Sequence, residues 1–145
     1  MEMSGEVELP VSREEAWRRI NDPVVLKACI PGCESCERTA ENSFAAVVKL
    51  KVGPVSARFK GTVEMTDLSP PESCKLVAAG EGGVAGFAKG SATVNLYETP
   101  AGCRLVYEAK ADVGGKIAQL GARLLDGVAR KLAAQFFEKL AVYPA

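Results

Sequence analysis

The hydrophobic period of this chain changes once, just after the glycine pair at 114 and 115, and that change constrains the fold more than any other feature. Upstream, polar and apolar residues alternate. Downstream, KIAQLGARLLDGVARKLAAQFFEKL repeats about every three and a half residues and puts Ile117, Leu120, Leu124, Val128, Leu132, Phe136 and Leu140 on one stripe. This predicts one amphipathic helix of about 25 residues, some 38 Å long at 1.5 Å per residue. Such a helix needs a broad apolar surface to cover, and the alternating segments must supply it.

Those segments are separated by legible turns at 40–42, 53–54, 69–73, 80–83 and 99–102. The first, Glu2 to Val11, alternates with Met3, Val7, Leu9 and Val11 on one side, and Pro10 restricts it to an edge or a strand end. Ser12 stands three residues before Glu15 at capping-box spacing, so a short helix starts near Arg13 with Ala16, Trp17 and Ile20 on its apolar side. Asn21-Asp22-Pro23 ends it, and PVVLKACI predicts a second short helix before Pro31-Gly32 turns the chain. FAAVVKLKV, SARFKGTVEMTDL, CKLVAAGE, AKGSATVNLYE and CRLVYEAKADV then read as a meander of strands. Their charged positions, among them Lys49, Arg58, Lys60, Lys89, Arg104 and Lys110, mark the side that meets water.

Hairpin-length connections make neighbouring strands antiparallel and leave the final helix as the only large cover. The expected fold class is α+β, a helix grip: a curved antiparallel sheet wrapped around a long C-terminal helix, with two short helices after the first strand. The 145 residues suit a single domain over 1–145.

The opposite parity names the inward side: Phe44, Val48, Leu50 and Val52, then Ala57, Phe59, Gly61, Val63 and Met65, then Leu76, Ala78 and Gly80. Ala88, Gly90, Ala92, Val94, Leu96, Leu105, Tyr107, Ala109 and Ala111 complete it. Its middle is rich in Gly and Ala, which cannot fill the layer of about 10 Å that separates packed elements. Either the helix sinks onto the sheet, helped by Gly121, Ala122, Ala129 and Ala133, or a hollow remains along its flank. In the second case Phe59, Phe87, Tyr107, Leu120, Leu124 and Val128 are the expected ligand-binding wall, with Tyr107 as its polar handle.

Composition removes other chemistry. The chain has no histidine, so nucleophile activation by imidazole and His-ligated zinc are excluded. Balanced charge, 18 basic against 18 acidic residues, gives no global field for nucleic acid. The start, MEMSGEVELPV, has no basic segment leading into an apolar core, and no apolar run approaches a membrane span, so the expected location is cytoplasmic.

Four features invite sharper readings. Cys29, Cys33 and Cys36 have the C-x3-C-x2-C spacing of a radical-enzyme iron-sulfur site, but the chain has no room for the barrel that such chemistry needs. Cys74 and Cys103 lie in distant strands, so thiols acting as small hydrophobes are expected, with no metal and no cofactor. GEGGVA (80–85) fits a dinucleotide fingerprint, yet a strand rather than a helix follows it. A flexible hairpin with Phe87 as a gate or contact point is expected instead. Lys116, Arg123 and Arg130 recur every seven residues and read as a solvated helix face. Glu64, Asp67 and Glu98 show no convergence that would suggest carboxylate catalysis.

Four segments, NDPVVLKACIPGCES (21–35), KVGPVSARFKGTV (51–63), GGVAGFAKGSATVNL (82–96) and VGGKIAQLGARLLDGVARKLAAQFFEKL (113–140), resemble the CoxG family, the G-type subunits of molybdenum carbon monoxide dehydrogenase. The resemblance spans nearly the whole chain. It implies the START-like (SRPBCC) form of the helix grip and a non-catalytic accessory of the dehydrogenase or a related molybdenum hydroxylase. It also implies a hydrophobic small molecule in the grip, a quinone or lipid, and peripheral contact with the inner face of the cell membrane. PGCE (31–34) and GGVAGFAKG (82–90) are family loops on this reading, and Cys36 belongs to no family pattern. Two alternatives stay open: a small cyclase- or dehydratase-like enzyme using the same cavity, and a structural adaptor docking through 82–90.

Overall fold

The computed structural model describes residues 1–144. Seven strands form one sheet: β1 (Glu2–Leu9), β2 (Cys33–Ala40), β3 (Ser43–Val52), β4 (Val55–Ser69), β5 (Ser73–Glu81), β6 (Phe87–Thr99) and β7 (Gly102–Gly114). Their order is β1-β7-β6-β5-β4-β3-β2, with every neighbouring pair antiparallel. Two short helices, α1 (Arg13–Ile20) and α2 (Pro23–Cys29), follow β1, and the chain closes with α3 (Ala122–Val142). This is the expected α+β helix grip.

Local chemistry sets the short helices. Ser12 Oγ accepts from the Glu15 amide at 3.1 Å and starts α1. Asp22 Oδ1 accepts from the Val24 amide at 2.9 Å, and Pro23 opens α2, where its missing N–H costs nothing. Arg19 is 2 % exposed. Its Nε donates to Glu15 Oε2 at 2.7 Å and its Nη1 to the Leu140 carbonyl at 2.9 Å, which ties α1 to the end of α3.

Two differences from the sequence expectation have physical causes. CESCERTA forms an edge strand, β2, with register shifts after Cys33 and after Arg38. Those irregularities, together with exposed Glu34, Glu37 and Arg38, erase the period-two signal. The terminal helix is also interrupted: residues Lys116–Leu120 form a 3₁₀ turn, and Gly121, at φ +94°, resets the backbone before α3 begins. The stripe is thereby broken. Ile117 and Leu140 are buried, whereas Leu124 is 38 % exposed.

The apolar interior divides into two clusters. The first, built on Leu9, Val25, Phe44, Met65, Leu96, Leu105 and Leu140, gathers Trp17, Phe136, Phe137 and Tyr107 around it. The second lies at the other end, where Val52, Val55, Ala85 and Ile117 are buried beneath Phe59, Leu120, Leu125 and Val128. A fully buried Leu is worth roughly 1.5–3 kcal/mol. Leu140 anchors α3 at the first cluster in this way, and half-buried Leu125 and Val128 hold it more weakly at the second.

Candidate functional site: a hollow between the sheet and the last helix

Between the two clusters the inward face changes character. Ala46 and Val48 on β3, Gly61 and Val63 on β4, Ala78 and Gly80 on β5, Gly90 and Ala92 on β6, and Ala109 and Ala111 on β7 share one face through their pairing. None of them is buried. A Cβ placed on Gly61 would meet only the Ala79 carbonyl, at 3.4 Å, and one on Gly80 only the Lys60 carbonyl, at 3.8 Å. No atom of α3 comes within 4 Å of either position. The helix is held at its ends and stands clear of the glycine floor between them.

The flank between α3 and β1 opens into a cavity of about 440 Å³ lined by Gly5, Val7, Tyr107, Arg130, Ala134 and Phe137, among others. Tyr107 stacks on Phe137 with ring centroids 5.2 Å apart and an interplanar angle of 29°. A Cβ on Gly5 would lie 2.8 Å from the Tyr107 hydroxyl oxygen, so glycine there makes room for the phenol. Arg130 Nε donates to Asp126 Oδ2 at 2.8 Å. Two other depressions, about 590 and 680 Å³, are lined mainly by outward residues of the sheet and reach the inward face at Ala92, Ala109 and Arg130 in the first and at Gly80 and Ala88 in the second.

Of the residues singled out in the sequence, Phe59, Leu120 and Val128 come together at the second cluster. Leu124 sits beside them: a Cβ on Gly53 would meet Leu124 Cδ2 at 2.8 Å and Leu120 Cδ1 at 3.7 Å. Tyr107 lies nearer the other end, over Gly5 and against Phe137. Phe87 is not brought to the hollow. It pairs with Gly114 one residue out of phase with inward Ala88, so its ring lies across Gly114 on the outer face and is 47 % exposed. Sequence reasoning missed the second stripe of α3, Arg130, Ala134, Phe137 and Ala141, which lines the flank cavity. Its signal was the spacing i, i+4, i+7, i+11, hidden by the single charged member.

The cysteines do not converge. Cys29, Cys74 and Cys103 are buried in the first cluster and Cys36 packs against it. Cys33 Sγ donates to the Ser35 carbonyl at 3.2 Å. Burial pushes all five thiols up, Cys74 to about 11, which keeps them protonated at neutral pH. Among the described residues, no group of three or more Cys, Asp or Glu is placed to hold a metal ion, and no helix is long and apolar enough to cross a membrane.

Similar proteins agree with this architecture. A conserved protein from Geobacillus kaustophilus, known from its crystal structure, is 36% identical, with 97% of this chain and 93% of that one covered and a TM-score of 0.90. A Chromobacterium violaceum protein at 16% identity covers 99% of both chains with a TM-score of 0.72. A Thermus thermophilus protein at 17% identity covers 97% of this chain and 94% of its own with a TM-score of 0.71. These last two establish the fold alone. No curated protein matches the chain. The sequence pattern of the carbon monoxide dehydrogenase CoxG family matches residues 5–143, and the chain belongs to that family.

Proposed function

We propose that this chain is a non-catalytic accessory of a molybdenum carbon monoxide dehydrogenase-type enzyme and carries a lipophilic molecule, a quinone first of all, in the hollow between the sheet and α3. In that role it aids membrane recruitment or the delivery of an electron acceptor. Family membership supports the association with the dehydrogenase. The observation that carries the ligand is the open floor at Gly61 and Gly80, half-buried positions that no atom of α3 approaches within 4 Å. An apolar void of this kind forfeits the dispersion contacts that a packed core would make, and an oily guest restores them. The floor between the clusters offers hydrocarbon, with the Tyr107 phenol at its flank, which favours carriage over turnover.

Native mass spectrometry of protein purified without detergent, followed by solvent extraction and reloading with menaquinone, tests this reading. The expected result is a bound mass that extraction removes and reloading restores. Protein that holds no lipid as purified and takes up none when supplied would refute it. Phe87→Ser separates a second reading, favoured by the exposure of Phe87 beside Val84, which is 92 % exposed. If the 82–90 hairpin is the dehydrogenase contact, this variant loses capture of the enzyme while loading with menaquinone is unchanged.

A further inference from the structure

Resting on the carrier reading, the geometry points to the flank between β1 and α3 as the head-group end of the hollow. There the Tyr107 hydroxyl and the Arg130 guanidinium donate hydrogen bonds to an uncharged, carbonyl-bearing head, while the tail runs over Ala109 and Ala111 toward Phe59 and Leu120. Both groups line the same cavity. The Tyr107 ring is fixed by Phe137 on one side and by the absence of a side chain at Gly5 on the other. Among the described residues its hydroxyl has no protein hydrogen-bond partner. Arg130 uses Nε on Asp126 and leaves both Nη groups to donate.

Two aspects of the site select the ligand. Along β7 the inward residues run from Leu105 in the first cluster through Tyr107, Ala109 and Ala111 to Val113 at the second. From Tyr107 to Ala111 is about 13 Å at 3.3 Å per residue, so these two donors stand at one end of an apolar trough. The charge at that end is not positive in balance, because Glu6 and Glu138 line the cavity with Arg130 and Asp126 is bound to it. A free carboxylate head meets three carboxylates and one guanidinium, whereas a carbonyl needs only the donors. A ring ketone, quinone or ester is therefore preferred over a fatty acid.

The test compares three probes on delipidated protein: menaquinone with a short isoprenoid tail, squalene as a tail without a head, and palmitate at pH 8. Loading is read by extraction after gel filtration over a concentration series. Wild-type protein is expected to bind the quinone more tightly than either other probe. Tyr107→Phe, which keeps the ring and its stacking, and Arg130→Met are each expected to weaken the quinone about fivefold, the factor of one lost hydrogen bond, with squalene unchanged. Unchanged quinone affinity in both variants overturns the head-group assignment, as does equal loss of squalene, which would mean a collapsed cavity. Palmitate binding as tightly as the quinone overturns the preference for an uncharged head. Wild-type protein that takes up none of the three fails the carrier reading itself, a result distinct from a failure of Tyr107 and Arg130 to discriminate.

Discussion

Gly80→Val asks whether the hollow exists in solution, because an open and a closed floor predict opposite signs. Gly80 is the penultimate residue of β5, paired with Gly61 on one side and Ala88 on the other, and a Cβ there has only a backbone carbonyl at 3.8 Å for company. Replacing a strand glycine with a residue bearing a Cβ recovers about 0.5–1 kcal/mol through the unfolded chain. The two further carbons, on a half-buried face, add about 0.4 kcal/mol each, half the value of a fully buried methylene. The substitution should stabilise the delipidated protein by about 1–2 kcal/mol. If α3 were packed onto the floor, the same side chain would overfill the core and cost about 1–3 kcal/mol. Urea unfolding decides: with a slope of about 1–3 kcal/mol/M, the midpoint should rise by roughly 0.5–1 M. The double variant Gly61→Val/Gly80→Val should also take up less quinone, since it occupies the ligand's space. A midpoint that falls by as much would refute the hollow.

Two further predictions concern the end of the grip held by α1. Arg19→Met removes the donor to the Leu140 carbonyl, which is left without a partner, and one donor to Glu15, which Arg18 still holds, so it should cost about 1–3 kcal/mol in urea unfolding; a loss under about 0.5 kcal/mol would mean that the contact does not hold α3. Hydrogen bonds from Arg18 and then Arg19 lower the Glu15 carboxyl from 4.5 to about 2, so its contribution is complete above pH 4.5 and lost as pH falls toward about 2. The stability gap between wild type and Glu15→Gln should close across that window, and a gap independent of pH would show that the carboxylate charge is not what Arg18 and Arg19 recognise.

Much of the grip was legible because its signals are periodic. Strand parity placed Phe44, Met65, Leu96 and Leu105 on the buried side and Gly61, Gly80, Ala92 and Ala109 on the same face. That parity also puts Phe87 opposite Ala88, so its outward position was readable in the sequence; the glycines around it made the segment look like a loop free of strand phase. β2 was not readable, since a bulged edge strand bearing Glu34, Glu37 and Arg38 has one wet face and irregular register. The break at Gly121 was masked by a stripe that runs on through it, because composition at period 3.5 does not report a single residue at positive φ. Whether α3 sinks or stands off was beyond any periodic signal. It depends on where bulky side chains fall along the helix relative to the small ones on the sheet.

That placement gives the hollow a mechanical cause. α3 spans 21 residues, about 31 Å at 1.5 Å per residue, and its bulky contacts fall at its two ends: Phe136, Phe137 and Leu140 at the first cluster, Leu125 and Val128 at the second. For the middle of the helix to reach Gly61 and Gly80, both ends would have to sink with it. The side chains there are too large to allow this, and Arg19 fixes the last turn to α1. The floor is left open by the size of residues that do not line it. A molecule that binds there adds to folding stability by mass action, about 2.7 kcal/mol at a hundredfold excess over its dissociation constant, without repacking either end. Filling the trough covalently, as Gly80→Val does, should therefore raise the stability of the empty protein and reduce the further gain that a ligand can give. Stabilisation by quinone that is equal in wild type and in the double valine variant would place the bound molecule somewhere other than the trough.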